Sequence, residues 1–96
     1  MATFIALLDY TDQGIRNIED STCRADQFNA MAEKAGAKVI GQYWTIGSHD
    51  GVLILDAPTD EVAASLLLAL SSTGNVRSTT LRAYEWAEAQ DLIQKP

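Results

Sequence analysis

Gly47-Ser48-His49-Asp50-Gly51-Val52-Leu53-Ile54-Leu55-Asp56-Ala57-Pro58-Thr59-Asp60-Glu61 reads as a turn, a strand and a helix start in succession. Gly47-Ser48 sits where a tight hairpin turn belongs, because glycine takes positive φ at little cost. His49–Ala57 is a strand. Pro58-Thr59-Asp60-Glu61 opens a helix: Thr59 can cap it, and two acids in the first turn complement the helix dipole. Val62, Ala63, Leu66, Leu67 and Leu70 then form one apolar stripe that Gly74 ends.

Before the turn, Lys38–Ile46 is a strand carrying Tyr43 and Trp44. Thr3–Tyr10 is an apolar run of strand length, and Thr11-Asp12-Gln13-Gly14 follows as a turn. Ile15 and Ile18, three apart, suit a short helical turn. Asp20-Ser21 is a second start signal, with Ser21 able to cap a helix near 21–35 that Gly36 stops. Phe28, Met31, Ala32 and Ala35 make its buried stripe. Asn75–Tyr84 is a last strand, and Glu85–Gln94 a short tail helix with Trp86, Ala89 and Ile93 on one side.

This order predicts an α+β fold: a ferredoxin-like βαββαβ sandwich with an antiparallel four-stranded sheet and a short C-terminal helix, the whole of 1–96 forming one domain. Right-handed crossovers place the first and third strands side by side at the sheet centre, read here as parallel, with both helices on one face. In those strands Phe4, Ala6 and Leu8 alternate with Ile5 and Leu7, and Val52 and Ile54 with Leu53 and Leu55. Both faces are apolar, yet the helices cover one. The other face would be a patch on the order of 400 Å², worth roughly 10 kcal/mol if buried at ~25 cal/mol per Å². The expected cover is the same face of a second copy.

Ninety-six residues hide roughly 60–65% of the extended-chain surface, a thin core that an oligomer would supplement. The 7 basic residues stand against 13 acids, a net charge of −6. That balance argues against nucleic acid and anionic membrane surfaces as partners, since phosphate binding relies on cationic side chains. Cys23 is the only cysteine, so no intrachain disulfide forms and a reducing compartment is expected. The first residues lack a basic leader and reach Asp9 after a short apolar run, which points to the cytoplasm. One His and one Cys cannot supply the four ligands of a structural zinc site. Phosphate loops and nucleophile elbows are missing from the sequence.

With the central strands taken as parallel, His49, Asp50, Tyr43, Trp44, Arg82 and Tyr84 gather at one rim, and Asp9, Tyr10, Asp56 and Arg77 at the other. His49 beside Asp50 is the candidate catalytic pair, a proton shuttle or ligand to a metal or haem iron; a solvent-facing hairpin histidine with Asp50 bracing the turn is the competing reading. Tyr43, Trp44 and Tyr84 are candidates to line a flat ligand pocket, or else core and interface. Arg77 and Arg82 can clamp an anion, or pair with the surplus acids. The carboxylates Asp9 and Asp56 are an acid/base pair or solvated strand ends. Cys23 reads as an inert helix thiol.

Over residues 2–85 the chain resembles the GYD-domain family, small bacterial proteins of the dimeric α/β-barrel type. The resemblance lies in Thr11…Gly14, Asp20-Ser21 with Arg24, Tyr43-Trp44, Gly47-x-x-Asp50, Ala57-Pro58 and Asn75-Val76-Arg77…Thr80-Leu81. It departs where the family's motif tyrosine is His49. The resemblance implies a fold and a homodimeric habit, but no particular activity, metal or cofactor. The leading functional expectation is a homo-oligomeric binding or regulatory module that takes a small organic ligand. The alternative is a small enzyme, a monooxygenase or isomerase by fold analogy, using His49 and Asp50 with Arg82 as an anion clamp. A purely structural assembly protein is the third.

Overall fold

A computed structural model describes residues 1–94. Its strands are β1 (Ala2–Tyr10), β2 (Lys38–Trp44), β3 (Gly51–Ala57) and β4 (Val76–Ala83). Its helices are α1 (Asp12–Arg16), α2 (Ser21–Lys34), α3 (Asp60–Ser72) and α4 (Trp86–Gln94), with a 3-10 turn at Ile18–Asp20 between the first two. The expected α+β, ferredoxin-like order with its C-terminal helix is present. The sheet order is β2-β3-β1-β4.

Every neighbouring pair is antiparallel, including β1 with β3, where Ala2 faces Ala57 and Leu8 faces Gly51. The parallel reading of those two strands is corrected. Each crossover returns a strand parallel to the one it left, but leaves a gap one strand wide. The β1–α2–β2 and β3–α3–β4 units fill each other's gap, and the β2–β3 hairpin reverses the chain, so β1 and β3 must run in opposite directions.

The core lies on one face. Phe4, Ala6, Leu53, Leu55 and Ala57 from the sheet meet Phe28 and Ala32 of α2 and Ala63, Leu66 and Leu67 of α3. The stripe on α3 is as the periodicity predicts. On α2 it is narrower: Met31 and Ala35 are exposed rather than core. A bulge at Ile40 shifts the β2–β3 register between Val39 and Gly41. Pairing keeps partners on a common face, so Ile5, Leu7, Val52, Ile54, Tyr43 and Leu81 share the opposite, helix-free side.

Thr59 caps α3 as expected, its hydroxyl accepting from the Val62 N–H at 3.2 Å. Thr59→Ala should therefore cost about 1 kcal/mol, a melting midpoint lower by roughly 4–8 °C in a thermal scan. Ser21 does not cap α2. The 3-10 turn feeds directly into that helix, Ser21 already has helical dihedrals (φ −59°, ψ −43°), and Asp20 is the N-cap without a side-chain bond. The Ser21 hydroxyl is thereby left for other partners. The β2–β3 turn is also wider than a two-residue hairpin: Thr45 N–H bonds to the Asp50 carbonyl at 2.9 Å, and Gly47 (φ 126°) sits within that loop.

Two sequence features some sixty residues apart meet at one end of the sheet. The Thr11 N–H donates to the Asn75 carbonyl at 3.1 Å, and the Thr11 hydroxyl to the Gly74 carbonyl at 2.6 Å. The Gln13 amide donates to the Thr73 carbonyl and to Asn75 Oδ1. Gly14 is buried against the Asn75 backbone. The Thr11–Gly14 segment thus clamps the α3–β4 connection.

Candidate functional site

The antiparallel centre redistributes the predicted site residues. The end of β1 and the start of β3 lie together, so Asp9 and Tyr10 join His49, Asp50, Tyr43 and Trp44, and Arg77, which pairs with Asp9. Arg82 and Tyr84 go to the opposite end with Thr3 and Asp56. The two rims drawn from the sequence are corrected accordingly.

His49 does not engage Asp50. Its Nδ1 stands 3.2 Å from Asp9 Oδ1, with both side chains more than a third exposed, a pair worth about 0–1 kcal/mol. Asp50 braces the chain instead: its Oδ2 accepts from the Tyr10 N–H at 2.9 Å and its own N–H donates to the Leu8 carbonyl at 2.8 Å. At the far end the Arg82 guanidinium stacks 4.3 Å from the Tyr84 ring centre, donates to the Ala83 carbonyl and lies 4.0 Å from Glu88. It is tied into the approach to α4. Asp56 accepts from the Thr3 hydroxyl at 2.6 Å. Cys23 is a free, exposed thiol. Among the described residues no cluster of His, Cys, Asp and Glu is arranged to hold a metal ion, and no helix is long and apolar enough to cross a membrane.

The concave feature at this end is a cavity of about 70 Å³ between the first turns of α2 and the sheet. Leu8, Phe28, Leu53, Leu70 and Val76 supply apolar wall, and Tyr10, Ser21, Arg24, Trp44 and Asp50 polar wall. Ser21 is the hub. Its Oγ accepts from Trp44 Nε1 at 2.9 Å and shares a 2.8 Å hydrogen bond with the Tyr10 hydroxyl. Arg24 Nη1 donates to the Asn17 carbonyl at 2.9 Å. Tyr43 borders the cavity but is largely exposed, its ring lying over Gly41 on the open face. His49, Arg77, Arg82 and Tyr84 are not among its lining.

The sequence reading places Trp44, Asp50 and Tyr43 at one rim and Tyr10 at the other, and does not weigh Ser21 or Arg24 as residues of a cavity. The available signal was a cation in the first turn of a helix that has no acid there, against the dipole.

Fold and site define an α+β, ferredoxin-like module with one helix-covered and one open sheet face, and a small polar-mouthed cavity at one end. The GYD domain model matches residues 4–93, and the chain belongs to that family. It is 33% identical, over 99% of its own length and 98% of the relative's, to the "Glutamine synthetase and cystathionine beta-lyase binding protein" of Thermus thermophilus.

Proposed function

We propose that this chain is a bacterial, cytoplasmic binding and regulatory module. It pairs with a second copy through the open sheet face, docks on metabolic enzymes, and takes a small organic ligand in the cavity beside α2. The observation that carries the reading is the helix-free face with Ile5, Leu7, Val52 and Ile54 at its centre and Leu81 half-exposed beside them. The four central residues are only half-buried by their own chain, and contiguous apolar patches of this kind mark interaction surfaces. The relative named for binding two enzymes supports the protein-docking part.

The alternative, a monooxygenase or isomerase working through His49 and Asp50, has less behind it. Asp9 rather than Asp50 holds the imidazole, and His49 lies outside the cavity lining. A proton carrier needs to reach the bound substrate.

Sedimentation velocity and surface-immobilised binding test the proposal. The native chain should sediment as a dimer at micromolar concentration, and Ile54→Asp as a folded monomer. Purified glutamine synthetase or cystathionine β-lyase from the same organism should bind the native chain. A native chain that sediments as a monomer, and binds neither enzyme, sinks the reading.

A further inference from the structure

Arg24 is the anomaly of the cavity. It lines the space beneath α2, and its Nη2 is closed to solvent with no acceptor within hydrogen-bond reach. Leaving a charged donor so is costly, because the group has lost water and gained nothing in return. Nor does an acid neutralise it: among the described residues the ion pairs within 4.0 Å are His49 with Asp9 and Arg82 with Glu88. In a chain with 13 acids and 7 bases, a half-buried arginine whose Nη2 is enclosed and which has no carboxylate partner is unexpected. Its place in the first turn of α2 also sets a cation against the positive end of the helix. An anion in the cavity would relieve both penalties.

We propose that this cavity is a receptor for a compact organic monocarboxylate, held by the Arg24 guanidinium with its hydrocarbon body against Leu8, Phe28 and Leu53. The proposal deepens the binding-module reading by naming the ligand class. Three features choose the class. A carboxylate matches the planar guanidinium fork and makes charge-assisted bonds with it. The predominantly apolar wall suits a hydrocarbon tail and offers little to a hydrated inorganic ion. Asp50 in the same wall opposes any anion, and the opposition grows with the anion's charge, so dicarboxylates and polyanions are disfavoured relative to a monocarboxylate.

Size narrows it further. At ~10–15 Å³ for each water-sized position, the 70 Å³ cavity admits a molecule of roughly five heavy atoms, the scale of propionate or butyrate. Because Nη2 is enclosed, the ligand must draw the guanidinium toward it. One bond, to the Asn17 carbonyl, holds that group in place.

The test uses the full chain with sodium butyrate and propionate against chloride, sulfate and succinate at matched ionic strength. Butyrate at saturation should raise the melting midpoint by several degrees, with sulfate and succinate no better than chloride. Arg24→Gln should melt no lower than the native chain without ligand, since it removes an unsatisfied charge, and should lose at least tenfold in butyrate affinity. Amide chemical shifts of the native chain under butyrate titration need no variant; they should concentrate at Ser21–Ala25 and Asp50–Leu53. Equal stabilisation by sulfate, no response to either monocarboxylate, undiminished binding by Arg24→Gln, or shifts centred elsewhere would each overturn the proposal. Sedimentation of the same samples keeps it separate from the dimer, because an intrachain cavity should bind butyrate equally well in Ile54→Asp.

Discussion

Gly14→Ala should be the most damaging single methyl added to this protein. A Cβ at Gly14 would stand 1.9 Å from the Asn75 carbonyl oxygen and 2.9 Å from its carbon. Those are backbone atoms, and no rotamer change moves them aside. Either α1 lifts from the 73–75 connection or that connection shifts. Lifting breaks the Thr11 and Gln13 bonds that join them. Overpacking of 1–3 kcal/mol and loss of bonds near 1 kcal/mol each give a cost of about 3–5 kcal/mol. For a domain of this size the midpoint should fall by about 12 °C or more, as read by calorimetry or circular dichroism. A variant melting within about 4 °C of native would mean that α1 does not seat there in solution.

Leu53→Ala and Ile54→Ala should part company although the residues are adjacent. Leu53 is 1% exposed, packed between sheet and helices. Removing its branched end leaves a hole the layers cannot close, at about 2–5 kcal/mol of chain stability. Ile54 faces the open side, paired with Ile5 and Gly41, and is only partly buried by its own chain. Its truncation should cost less than about 1.5 kcal/mol in the isolated chain, yet weaken self-association at least tenfold. Denaturant unfolding at low protein concentration and sedimentation over a concentration series separate the two quantities. If Ile54→Ala proved the more destabilising in the dilute chain, the assignment of faces would be wrong.

That assignment is legible in the sequence alone. Ile5 and Leu7 alternating with Phe4 and Ala6, and Val52 and Ile54 with Leu53 and Leu55, already imply two apolar faces, since a strand turns successive side chains to opposite sides. Thr59 as a cap and the Val62–Leu70 stripe were legible too, because capping and helical periodicity act within a few residues. Met31 was misjudged for a related reason: helical spacing places a residue near the buried stripe, but the width of that stripe depends on what packs against it. Phe28 and Ala32 fill the contact, and Met31 falls at its margin.

The site was much less legible. Ser21 reads as a helix cap until the preceding 3-10 turn supplies its own carbonyls, after which its hydroxyl serves Tyr10 and Trp44. His49 and Asp50 read as a pair by adjacency, whereas the loop between β2 and β3 turns them to different partners, Asp9 and the Tyr10 amide. Arg24 reads as one of several surface cations until the fold encloses its Nη2.

Hydrophobic alternation, caps and turn residues determined the elements, the layer arrangement and the presence of an uncovered apolar face, because each is set by neighbours along the chain. Strand direction at the sheet centre, the company His49 and Arg82 keep, and the enclosure of Arg24 Nη2 without an acceptor were decided only by tertiary structure. These depend on which distant segments interleave, and interleaving is set by the one-strand gap each crossover leaves together with the hairpin that joins the two units, not by any one stretch of residues.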